Sequence, residues 1–164
     1  MKRALFLLPI SLAVAAAAAG CGTSTSTSTT AATTPTPKPA ASRTAATTVD
    51  VRSTGLGKIL VDAQGRTLYL FEKDKGGKSA CSGACAKAWP PLMTTGKPKA
   101  AGGANAKLLG TTKRSNGTQV TYNGHPLYTF FQDTKAGQTK GQGSNFFGAL
   151  WYVMGTNGKQ ITKS

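Results

Sequence analysis

The chain has 164 residues and carries 20 Lys and Arg against five Asp and Glu, a formal charge of +15, with one histidine and three cysteines. That length allows one domain at about 100–200 residues each, and the lone His125 excludes a His-rich metal cluster and most acid–base schemes. No Ser-His-Asp arrangement, phosphate loop or spaced zinc ligands occur, so the residues point away from an enzyme and imply no cofactor.

Residues 1–20 divide into basic Lys2 and Arg3, an apolar run from Ala4 to Ala19, and Gly20 directly before Cys21. A membrane-spanning helix needs about 20 apolar residues. This run is shorter and is interrupted by Pro9 and Ser11, so it reads as an export signal with small residues at its processing site. It resembles the lipobox of bacterial lipoproteins, where signal peptidase II cleaves before a cysteine that receives diacylglycerol; Ala18 stands where that pattern usually has Leu. The resemblance implies lipid on Cys21 and an anchor on the outer face of the membrane. Plain secretion, with Cys21 an unpaired passenger, is the other reading.

Residues 21–48 form a linker. From Thr23 to Thr48 there are eleven Thr, four Ser, six Ala and three Pro, with Lys38 and Arg43 the only charges and no Leu, Ile, Val, Met or aromatic residue. Such a segment has nothing to bury against its ordering entropy and is expected to stay disordered. As a coil it would reach roughly 25–30 Å, stiffened around Pro35, Pro37 and Pro39. That suits a tether.

Residues 49–164 hold all five acidic residues (Asp50, Asp62, Glu72, Asp74, Asp133) and sixteen Lys and Arg, so their formal charge is 16 − 5 = +11. The lysines are spread rather than clustered beside aromatic residues, which argues against nucleic acid. Anionic lipid headgroups or wall polymers are the counter-charges expected, solubility alone being the competing explanation.

Within the domain two segments align without a gap: Gly65 to Asp74 and Gly124 to Asp133 both read Gly-x-x-Leu-Tyr-x-Phe-x-x-Asp. The strand-like runs Lys58–Asp62 and Thr118–Tyr122 precede them, joined through Gln64-Gly65 and Asn123-Gly124, residues that supply the positive φ of tight hairpins. Each repeat, about 57–92 and 116–154, is thus expected to be a β-hairpin. Period-two geometry sets Tyr69 and Phe71 opposite Leu68 and Leu70, and Tyr128 and Phe130 opposite Leu127 and Phe131. Further strands are expected at Lys107–Thr112, Leu150–Met154 and Gln160–Lys163, the last two joined by the turn Thr156-Asn157-Gly158. The fold class is mainly β: two β-hairpin repeats plus extra strands around a shared core, with one short helix near Cys81 and Cys85, most simply as a monomer.

Cys81 and Cys85 remain as a pair in an oxidising compartment. On a helical turn their Cα atoms would lie about 6 Å apart, close enough for a disulfide. The sharper reading is redox or metal handling, with copper held by reduced thiols and supplemented by Met93 and Met154, or with haem. Asp74 and Asp133 present one carboxylate per repeat, to a bound cation or, more simply, to turn N–H groups and a neighbouring Tyr hydroxyl. His125 aligns with Arg66 just past a turn, an exposed position; Trp89 and Trp151 read as core anchors. Asn116-Gly117-Thr118 matches a glycosylation sequon, but its Asn-Gly is explained by turn geometry.

These residues carry a resemblance to the bacterial secreted-repeat lipoproteins with a Tyr-x-(Phe/Trp/Tyr)-x-x-Asp motif, a family of unknown molecular function. It rests on Tyr69, Phe71 and Asp74, the element from Cys81 and Cys85 to Trp89-Pro90-Pro91, the run Gln119 to Gly124, then Tyr128, Phe130 and Asp133, and Gln142-Gly143 with Trp151-Tyr152-Val153. The resemblance implies an envelope protein for binding or scaffolding rather than catalysis.

Overall fold

The computed structural model describes residues 46–163. The export signal, Cys21 and the linker up to residue 45 lie outside the described residues. The elements are β1 (Thr48–Thr54), β2 (Gly57–Asp62), β3 (Tyr69–Phe71), α1 (Ala84–Ala88), β4 (Met93–Thr94), β5 (Lys99–Ala100), a 3-10 turn (Ala106–Leu108), β6 (Leu109–Arg114), β7 (Gly117–Tyr122), β8 (His125–Pro126), β9 (Ser144–Phe146) and β10 (Ala149–Val153). The protein is mainly β, built of two repeats.

Each repeat opens with a hairpin, and the two hairpins match rung for rung. β1 pairs β2 from Val49↔Asp62 to Thr54↔Gly57, and β6 pairs β7 from Leu109↔Tyr122 to Arg114↔Gly117. Val49 and Leu109 are 60 apart, whereas Tyr69 and Tyr128 are 59 apart. The difference is one extra residue in the first turn, Asp62-Ala63-Gln64-Gly65 against Tyr122-Asn123-Gly124. In the first turn only Gly65 takes a positive φ, and the Asp62 carboxylate accepts from the Gln64 and Arg66 N–H groups in place of a second left-handed residue.

Beyond these turns the motif strand stays with its own repeat for only a few residues, last through Leu68 N–H to Leu60 C=O and Leu127 N–H to Val120 C=O. It then crosses to the other repeat. β3 runs antiparallel to β10, setting Tyr69 against Val153 and Phe71 against Trp151, and Thr129 and Phe131 donate to Pro90 and Ala88 in the equivalent pairing. Tyr69 and Tyr128 exchange both backbone hydrogen bonds, at 2.8 and 3.0 Å, where the repeats meet.

The exchange also links strands of the two repeats through backbone hydrogen bonds. Leu60 N–H donates to Met154, Met154 to Leu68, and Leu68 to Leu60; in the other half Val120 donates to Leu92, Leu92 to Leu127, and Leu127 to Val120. Both cycles take one member from the opposite repeat. Buried backbone groups must find partners, and here neither repeat can satisfy its own without the other.

Two cores result. One gathers Ile59, Val61, Tyr69, Phe71, Cys81, Cys85, Trp89, Tyr128, Phe130, Trp151 and Val153; the second gathers Val49, Leu60, Leu68, Leu70, Leu92, Val120, Tyr122, Leu127 and Met154. The alternation along β3 sorts its side chains between them, Tyr69 and Phe71 into the first, Leu68 and Leu70 into the second. Every member lies between Val49 and Met154, so the described residues hold both cores.

The structure departs from expectation at four places. Phe131 does not join Leu127: the strand turns at Phe130, where Asp133 N–H bonds the Phe130 carbonyl, and Phe131 is 57 % exposed. Gln160–Lys163 forms no strand; the Thr156-Asn157-Gly158 turn brings back a single bridge, Met154↔Gln160. The strand expected from Lys107 begins at Leu109, because the Asn105 side chain accepts from Lys107 N–H and holds a 3-10 turn there. His125, expected to be exposed, is half-buried on β8, paired with Tyr122. In addition, Thr47 and Thr48 of the linker join the folded domain: the Thr47 hydroxyl donates to Met93 C=O, its carbonyl accepts from Lys99 N–H, and Thr48 begins β1.

Candidate functional site

The motif tyrosines and aspartates meet across the repeats. The Tyr69 hydroxyl donates to Asp133 Oδ2 at 2.5 Å, and the Tyr128 hydroxyl donates to Asp74 Oδ2 at 2.7 Å. The second oxygen of each carboxylate accepts a backbone N–H farther along its own loop, Lys140 for Asp133 and Ala80 for Asp74. One aspartate therefore pins the partner repeat's tyrosine and folds back its own loop at the same time.

Burial drives both tyrosine hydroxyls far above their ordinary pKa, and the adjoining carboxylates add to the rise. Both aspartates are also raised, by burial first, with the hydrogen bonds from Tyr69 and Lys140 or from Ala80 and Tyr128 offsetting part of it. The geometry uses these four side chains as cross-pins.

Between the pins lies a four-ring stack, in the order Phe71, Trp151, Trp89, Phe130. Successive ring centres are 4.0, 4.0 and 4.2 Å apart, and the two indoles are parallel to within 4°. Tyr69 meets Trp89 edge-on at 5.2 Å, and Tyr128 meets Trp151 edge-on at 5.1 Å. Repeat membership alternates along the stack, so it is a further interlock. Gly141 is required beside it, because a Cβ there would come within 2.5 Å of the Trp89 ring.

Cys81 and Cys85 are joined, with Cα atoms 5.3 Å apart, Cys85 on α1 and Cys81 before it. Both are buried in the first core, whereas Met154 belongs to the second and Met93 packs by Gly117. The bonded sulfurs offer no thiolate to a metal. Among the described residues no three of His, Cys, Asp and Glu gather as a ligand set. Reduction of the bond is expected to cost about 2 kcal/mol of stability, its short loop limiting the effect; denaturant unfolding with and without reductant measures this, and an unchanged midpoint would show that the bond is mechanically idle.

The two pins differ in their surroundings. Gly141 N–H closes the Tyr69 hydroxyl at 3.3 Å, but the Tyr128 hydroxyl lies 2.7 Å from Ser79 Oγ. Ser79 accepts from Arg114, which also donates to Gln119 Oε1 at 2.9 Å and to Cys81 C=O at 2.6 Å. Beyond it opens a cleft of about 460 Å³ edged by Lys78, Ser82, Lys113 and Ser115. No spacing in the sequence points to this cleft, since Arg114 and Ser79 are brought together only by the pairing of repeats.

The fold and its pins thus define a two-repeat β domain closed by reciprocal exchange. A family described as a secreted repeat of unknown function matches at residues 50–93 and again at 110–154, more than half of the chain, and the chain belongs to that family of exported proteins. No curated protein and no solved structure matches it.

Proposed function

We propose that the chain is a membrane-anchored cell-envelope lipoprotein whose repeat domain binds or scaffolds an anionic component of the envelope and has no catalytic role. Lipid on Cys21 supplies the anchor to the outer face of the membrane, and the Thr-rich linker supplies reach. The supporting observation is that every lysine among the described residues is exposed, while the motif tyrosines and aspartates are spent inside the fold. A surface of one sign attracts anionic lipid or wall polymers.

The anchor is tested in cells. Cys21→Ser is expected to abolish incorporation of labelled palmitate. Undiminished labelling in that variant would remove Cys21 from the proposal.

A further inference from the structure

Two turns in this molecule have the same geometry and very different residues. Asn123-Gly124 has φ of 48° and 79°, and Phe147-Gly148, which joins β9 to β10, has φ of 59° and 85°. Positive φ at both central positions marks the type I′ hairpin turn, for which Asn-Gly is the favoured pair. Asn tolerates the left-handed region; a bulky aromatic there is an outlier, and such outliers concentrate where function holds them.

Packing does not account for Phe147. It is 43 % exposed and its neighbour Phe146 is 53 % exposed. The carbonyls of the tip they form are both engaged: Trp151 Nε1 donates to the Phe146 carbonyl at 3.1 Å, and Lys73 Nζ donates to the Phe147 carbonyl at 3.3 Å. The hairpin therefore presents two phenyl rings beside an ammonium group, on a domain whose formal charge is +11 (sixteen Lys and Arg against five acids).

We propose that the Phe146-Phe147 tip is a membrane-contact element, which sets its rings into the interfacial layer of an anionic bilayer while Lys73 meets the lipid phosphates. The proposal rests on the reading of the domain as a basic envelope-binding module and names the surface it uses. Apolar rings with flanking cations match a lipid interface, which offers hydrocarbon and negative charge together. A wall polymer offers charge without hydrocarbon and gives the phenyl rings nothing to enter. The strained turn fits the same role, since the φ at Phe147 directs a ring outward where Asn would serve folding better.

The test uses residues 46–164, the unit that holds both cores, so that neither lipid nor the apolar leader contributes. Sedimentation with phosphatidylcholine vesicles is compared with and without phosphatidylglycerol, and binding to a soluble polyglycerol-phosphate is measured in parallel. Binding is expected only with phosphatidylglycerol, and Phe146→Ser and Phe147→Asn are each expected to weaken it roughly tenfold or more, from the lost ring burial. Phe147→Asn should at the same time raise the thermal midpoint, because it relieves the turn; loss of binding with a gain of stability cannot come from misfolding.

Vesicle binding that the phenylalanine variants leave intact would overturn the tip and leave the basic-surface reading standing. Binding to the polymer but not to vesicles would also overturn the tip alone. Failure to bind either partner would overturn both.

Discussion

Trp151→Ala is expected to lower the unfolding free energy by roughly 3–5 kcal/mol, the usual cost of emptying a buried aromatic site. For a domain of this size that is a large share of a total of roughly 6–17 kcal/mol. The effect should lie at the high end because Trp151 is the junction of the stack. It lies between Phe71 and Trp89 and also receives the edge of Tyr128, so truncation leaves several rings without a partner.

The milder pair Trp151→Phe and Trp89→Phe separates packing from hydrogen bonding. Trp151 Nε1 has an acceptor in Phe146, whereas the buried Trp89 Nε1 has none. Phe at position 151 sacrifices a bond worth about 1 kcal/mol, while Phe at position 89 removes an N–H that was desolvated without return. Trp151→Phe should therefore destabilise more, by denaturant unfolding followed through fluorescence of the remaining indole. Equal losses would mean that the bond to Phe146 contributes nothing.

The parts of this fold that are legible in the residues are those set by local periodicity. Gly-x-x-Leu-Tyr-x-Phe states its own alternation, and the structure places Tyr69 and Phe71 in one core and Leu68 and Leu70 in the other. Asn123-Gly124 states its turn just as directly. Phe131 departs from the pattern because alternation holds only as far as Phe130, where the turn to Asp133 ends the strand. β1 and β9 carry no comparable signal: Thr48–Thr54 has one fully buried residue, and Ser144–Phe146 none.

The reciprocal exchange is illegible for a different reason. Each Tyr has an Asp five residues on, so the spacing offers a local pairing as readily as a crossed one. The structure chooses the crossed pairing because the motif strand has left its own hairpin by the time it reaches Tyr69 or Tyr128. That departure depends on Leu92 and Met154, which fill the vacated pairing positions from the opposite repeat. Such a swap is a property of the two repeats together, and no window within one of them contains it.

The crossed pins should be energetically coupled. Asp133→Ala is expected to cost about 2–4 kcal/mol, since it leaves the Tyr69 hydroxyl and the Lys140 N–H without their acceptors. Tyr69→Phe should cost less, and the double variant should fall short of the sum by about 1–2 kcal/mol in denaturant unfolding, as contacting partners do. Asp74→Ala should be the milder of the two aspartate changes, because Ser79 Oγ stands 2.7 Å from the Tyr128 hydroxyl and offers it another partner. The pH dependence gives a second measure of the same pin. Burial raises the Asp133 pKa in the folded protein, so the folded state holds that proton more tightly than the unfolded chain does. Stability from this source is fully present below the unfolded value of about 4 and is lost as pH rises through the folded one. The stability gap between wild type and Asp133→Asn should therefore widen as pH is lowered from about 7 toward about 4. A gap that narrows instead would show that the bonds from Tyr69 and Lys140 outweigh desolvation and hold the carboxylate charged.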